Sequence, residues 1–121
     1  MPLIKVDLNR KVFAKKGQEL SDAIHEGLVT GLGIEDNDIF HVFTPHDEEE
    51  IIFSADYDNR DRRDLITIQI IMVKMFSEKA KKSALKDITR NIINIGIRRD
   101  DILICMLENP QGNWSLGEKE V

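Results

Sequence analysis

Cysteine is almost absent from this sequence. Cys105 stands alone, which excludes an internal disulfide and any cysteine-based structural zinc site. Long apolar runs are missing too: the longest, around Ile70 to Val73, is far too short to span a bilayer. The amino terminus lacks the basic region, apolar stretch and cleavage site of a secretion signal. Positive charge is not in excess, since 17 basic side chains face 22 acidic ones for a net charge of −5, and this balance argues against general nucleic-acid binding. The three histidines, His25, His41 and His46, are not spaced as a metal cluster, so no metal site is expected. Together these absences predict a soluble, cytoplasmic protein with no membrane or nucleic-acid partner.

What is present suits one folded domain spanning 1–121. A hydrophobic content of 41% can fill a core, although 32% of the residues are charged. A chain of this length buries only about two-thirds of its unfolded surface, which makes association with its own copies a natural supplement.

Period-two alternation opens the sequence: Ile4, Val6 and Leu8 point one way, Lys5 and Asp7 the other, as in a half-buried strand. Gly17 breaks the basic stretch Arg10 to Lys16. Leu20, Ala23, Ile24, Leu28 and Leu32 then recur at helical spacing, with Gly31 and Gly33 as stop signals. Ile39, Val42 and Phe43 mark a second strand, and Ile51 to Phe53 a short hairpin partner after the polar turn Pro45 to Glu50. The second half repeats the first. Gly33-Ile34-x-x-x-Asp38-Ile39 returns as Gly96-Ile97-x-x-x-Asp101-Ile102, a strand at Ile66 to Val73 answers the opening strand, and Ser77 precedes a helix that carries Leu85, Ile88, Ile92 and Ile95.

Two β-α-β repeats, about 2–55 and 64–117, therefore predict an α+β fold. It is a four-stranded sheet with two helices on one face, plus a short hairpin and C-terminal strands. No second helix layer covers the other sheet face, which predicts burial against other subunits.

The chemistry begins at Met1-Pro2. Methionine is normally trimmed before a small residue, and trimming leaves Pro2 with a free secondary amine. In an apolar pocket desolvation disfavours the cation, so such an amine can serve as a general base near neutral pH or attack a carbonyl. If Met1 stays attached, the Pro2 nitrogen is an amide and does neither.

Pro2-Leu3-Ile4-Lys5-Val6, the two repeats, Gly33-Ile34-x-x-x-Asp38 and the late Glu108-Asn109-x-x-x-Asn113-Trp114-Ser115-x-Gly117 resemble the tautomerase superfamily. The likeness is to its longer, fused two-unit members, the group that includes malonate semialdehyde decarboxylase. It implies a β-α-β fold, a homotrimer, a catalytic amino-terminal proline, a small-molecule substrate and no metal or organic cofactor. The implied activities are keto–enol tautomerisation, with decarboxylation, dehalogenation and hydration as relatives.

Residue by residue, the resemblance makes Pro2 the catalytic proline and Asp38 the acid that assists a water or polarises the substrate; Asp101, in the same local pattern, is expected to be a polar residue opening a strand. It implies substrate-binding arginines where this chain has Lys74 and Phe76. Lysine keeps the charge but not the planar bidentate clamp, and Phe76 offers an apolar wall. Relatives also carry an arginine in the loop that here holds Arg60, Arg62 and Arg63, candidate carboxylate ligands or members of a solvated loop of interleaved charge. That loop is not a calcium site, because its sixth position is Asp61 and its twelfth Thr67. Trp114 lines the pocket or an intersubunit seam, His41 is structural or points to a pocket, and Cys105 belongs to the core.

Three functions compete: a cofactor-independent tautomerase, a decarboxylase or hydratase acting on a three-carbon acid, and a catalytically silent trimeric binding protein.

Overall fold

The computed structural model describes all 121 residues. In chain order they form β1 (Pro2–Asn9), α1 (Arg10–Leu32), β2 (His41–His46), β3 (Ile66–Val73), α2 (Glu78–Asn94) and β4 (Ile102–Asn109). The sheet order is β2-β1-β3-β4. The outer pairs β1–β2 and β3–β4 are parallel and the central pair β1–β3 is antiparallel, so two parallel β-α-β units lie head to tail. Pro45 sits in β2, an edge strand, where its missing N–H is tolerated.

Both helices cover one face. Ile4, Val6 and Leu8 of β1 and Ile66, Ile68, Ile70 and Met72 of β3 are buried there with Leu20, Ile24, Leu28, Ile88 and Ile92 from the helices. Burying each such side chain contributes about 1.5–3 kcal/mol. The helices cross closely: a Cβ on Gly31 would lie 2.4 Å from the Cα of Ala84, and one on Gly27 would strike Ile88. Only glycine permits that approach.

Helix boundaries follow capping chemistry. Asn9 Oδ1 accepts the Lys11 N–H at 2.8 Å to start α1, and Gly33, left-handed at φ 72°, ends it by donating to Val29 O. Ser77 Oγ accepts the Ala80 N–H at 3.1 Å to start α2, as its position suggests.

Four expectations need correction. Gly17 does not break the chain. It lies inside α1, which begins at Arg10, and is buried with the Phe13 ring packed where its side chain would be. Ile51 to Phe53 form no strand, and Ile52 is 93% exposed. The C-terminal strand shrinks to a single antiparallel bridge, Ser115 to Glu120. Cys105 is exposed, not core: along β4 it shares the helix-free face with Leu103 and Leu107. That face is left open in the single chain, with Val42 and Leu103 at least half exposed. No helix is long and apolar enough to cross a membrane.

Candidate active site

One end of the sheet collects most of the candidate residues. β1 starts there, β3 and β4 finish there, and the segment leading into β2 crosses it. Ile4 N–H donates to Phe40 O at 2.9 Å, which stitches that segment to β1 and brings Asp38 to the amino terminus. The Met1 amine lies 3.3 Å from Asp38 Oδ2. The other carboxylate oxygen, Oδ1, is buried with no hydrogen-bond partner.

Pro2 is buried on the helix-facing side. Across the strands it pairs in register with Met72, and Met72 pairs with Glu108. Adjacent strands lie about 4.8 Å apart, which sets Glu108 roughly 10 Å from Pro2 along one row.

Beyond β3 the chain stays extended. Lys74 N–H donates to Asn109 O at 2.9 Å, Lys74 projects into solvent without an ion pair, and Phe76 packs on the edge of the core before Ser77 caps α2. Trp114 is fastened to the end of β4, its Nε1–H donating to Asn109 Oδ1. Pro2, Asp38, Lys74, Phe76 and Trp114 thus share one end of the sheet.

Arg60, Arg62 and Arg63 do not. They precede β3 at its opposite end, roughly 25 Å away along an eight-residue strand. Each is engaged locally: Arg60 with Asp100 at 3.4 Å, Arg62 with the carbonyls of Tyr57 at 2.7 Å and Ser54, and Arg63 with Asp61 at 2.8 Å. The Asp61 N–H, and after it Arg60, hold the Asp100 carboxyl below the usual carboxylate range. Asp101 is buried and accepts the N–H groups of Arg63 and Asp64 at 2.7 and 3.2 Å, with Arg98 beside it. It is the structural anchor its position suggests.

His41 opens β2 on the helix-facing side. Its Nδ1 lies 2.8 Å from Ser21 Oγ of α1, and the His25 ring stands edge-on at 6.2 Å. Burial lowers the His41 pKa, His25 acts in the same direction and Asp22 opposes both.

Sequence reasoning did not single out Lys81 and Glu108 as a pair. Lys81, in the first turn of α2, lies 2.9 Å from Glu108 Oε1 and 2.7 Å from Glu78. Only the structure supplies the signal: Glu108 falls on the helix-facing side of β4 with Ile102, Ile104 and Met106, where a charged residue interrupts an apolar set.

Comparison with known proteins gives this arrangement a family. Probable tautomerase YusQ of Bacillus subtilis (strain 168) is 25% identical over 119 residues, covering 97% of this chain and 94% of that one. FG41 malonate semialdehyde decarboxylase, solved inhibited by 3-bromopropiolate, is 28% identical with a TM-score of 0.88, covering 95% of this chain and 88% of that one. A fused 4-OT asymmetric trimer shares the fold alone, with 14% identity, a TM-score of 0.81 and coverage of 98% and 94%. The model of the tautomerase enzyme family matches residues 38–117, from the aspartate beside the amino terminus to the end of the Asn-Trp-Ser-x-Gly segment, and the chain belongs to that family.

Proposed function

We propose that this protein is a cofactor-independent tautomerase that interconverts the keto and enol forms of a small, carboxylate-bearing substrate. Pro2, freed by removal of Met1, is its general base. The observation that carries this reading is the position of the amino terminus: Pro2 is buried at the end of the sheet and the terminal amine stands 3.3 Å from Asp38. While Met1 is attached, the Pro2 nitrogen is a tertiary amide without basicity. Once freed, it lies only three bonds from the present amine position, still beside Asp38. Burial disfavours its protonated form and the Asp38 carboxylate favours it, so the two act in opposite directions on the base.

Pro2 takes a proton from carbon or oxygen of the substrate and returns it at the other position. Lys74, an exposed cation at this end with no ion pair of its own, holds the carboxylate, and Phe76 and Trp114 wall the site. Asp38 orients the substrate or a water through its unpartnered oxygen. The open sheet face, with Leu103 57% and Leu107 44% exposed, is closed by packing into a homotrimer.

Two measurements test this. Intact mass shows whether Met1 is removed. Phenylenolpyruvate ketonisation by the native protein and a Pro2→Ala variant is expected to differ on the order of 10²–10⁴-fold; equal rates end the assignment. A chain that keeps Met1 is instead a silent trimeric binding protein.

A second reading, decarboxylation or hydration of a three-carbon acid, is favoured by the likeness to malonate semialdehyde decarboxylase and by the free oxygen of Asp38. It predicts that Asp38→Asn abolishes carbon dioxide release or hydration and spares tautomerisation.

A further inference from the structure

Glu108 is an anomaly on β4. Ile102, Ile104 and Met106 precede it on the helix-facing side and pack against the core, and its own side chain is only 19% exposed. One oxygen, Oε1, is taken by Lys81 at 2.9 Å, while Oε2 is buried with no partner. Leaving such an acceptor unmet is costly, and more so when it is charged. A donor arriving from outside the chain would meet it.

Lys81 sharpens the point. A cation in the first turn of a helix opposes the macrodipole, yet Lys81 is 15% exposed and held there by Glu78 and Glu108. Its hydrogen bonds to Glu78 and Glu108 keep it above the usual ammonium range. It fixes Glu108 by one oxygen and leaves the other unpartnered, on a residue that shares one cross-strand row with Met72 and Pro2.

We infer that Glu108 sets substrate specificity at the Pro2 site: its Oε2 accepts a hydrogen bond from a hydroxyl that the substrate carries beside its keto group. The preferred substrates are therefore hydroxylated 2-keto acids, their carboxylate on Lys74, in preference to the deoxy analogues. Lys81 is a positioning residue, acting on the substrate only through Glu108. The inference rests on the tautomerase reading above and narrows its substrate class.

Hydroxypyruvate and pyruvate serve as matched probes that differ by one hydroxyl. Trp114, the single tryptophan, donates its indole N–H to Asn109, the residue next to Glu108, so its indole N–H resonance reports binding without requiring turnover. Native protein is expected to bind hydroxypyruvate at least tenfold more tightly than pyruvate, and Glu108→Gln to abolish that preference by weakening hydroxypyruvate binding. Lys81→Met should weaken the preference without abolishing binding.

Exchange of C3 protons for solvent deuterium adds the catalytic readout. Pro2→Ala should abolish exchange for both probes, while Glu108→Gln should raise KM for hydroxypyruvate alone. If Pro2→Ala exchanges both probes normally, the tautomerase reading falls. If Pro2→Ala is inactive but Glu108→Gln keeps the native preference, or native protein shows none, the role of Glu108 falls alone. A Glu108→Gln protein that keeps the preference but loses its oligomeric mass assigns the missing donor to a neighbouring subunit, which also overturns the inference.

Discussion

The two ends of the sheet carry the same local design in different surroundings. Asp38 and Asp101 lie 63 residues apart in matching Gly-Ile-x-x-x-Asp-Ile segments, and the head-to-tail arrangement of the two units carries them to opposite ends. At the far end, the backbone N–H of Asp64 meets Asp101 at 3.2 Å. At the near end, the residue in register with Asp64 is Met1, whose amine meets Asp38 at 3.3 Å. Leu65, buried, stands where Pro2 stands. Asp101 adds the Arg63 N–H and Arg98, whereas Asp38 keeps a buried oxygen with no partner. The difference is chain continuity. Where the backbone passes through, its amides satisfy the carboxylate and the end is structural. At the near end Asp38 instead meets a terminal amine and keeps a buried oxygen without a partner, the pair on which the proposed function rests.

Exchanging the matched residues tests that contrast most severely. Pro2→Ala is expected to lower tautomerase rate on the order of 10²–10⁴-fold with little change in stability. Leu65→Ala should do the reverse, losing about 2–5 kcal/mol in denaturant unfolding while the folded fraction retains its activity. If Leu65→Ala loses activity without losing stability, the two ends are not divided in this way.

The aspartates separate less widely. Asp101→Asn removes the charge that two backbone N–H groups and Arg98 share, and should cost roughly 1.5–3 kcal/mol in chemical denaturation. Asp38→Asn, with a single ionic partner, should cost under about 1 kcal/mol. Similar losses for both would show that Asp38 is as structural as its counterpart.

The repeat was visible in sequence because hydrophobic rhythm and glycine stops survive in both copies. Helix boundaries were less so. In α1 the packing of Phe13 over Gly17 overrides the local cost of a mid-helix glycine, and a cap at Asn9 outweighs the basic run that follows. The face of Cys105 could not be read from Ile102 to Leu107, since an unbroken apolar run carries no alternation. At the site, a motif placed Pro2, Asp38, Lys74, Phe76 and Trp114 together, but it could not show that Arg60, Arg62 and Arg63 are spent on Asp100, Asp61 and local carbonyls. Asp100 lies 40 residues from Arg60, beyond the reach of local pattern, and the nearer partners are met only in the folded loop.

The smallest expected effect separates the units by pH. His41 of the first unit corresponds to Ile104 of the second, so only one of these matched positions titrates. Burial, then the neighbouring His25, lowers the pKa of His41 against the pull of Asp22. Its folded-state pKa therefore lies below the value of about 6.5 that it regains on unfolding, and the unfolded chain binds this proton more readily. Stability from the neutral imidazole is complete above that value. It declines as pH falls below it, until the folded histidine itself protonates. His41→Gln keeps an acceptor for Ser21 and removes the titration, so it should flatten the slope of unfolding free energy below pH 6.5 and leave the curve above it parallel to native. An unchanged slope in the variant would move the acid sensitivity to other groups and erase this last distinction between the two units.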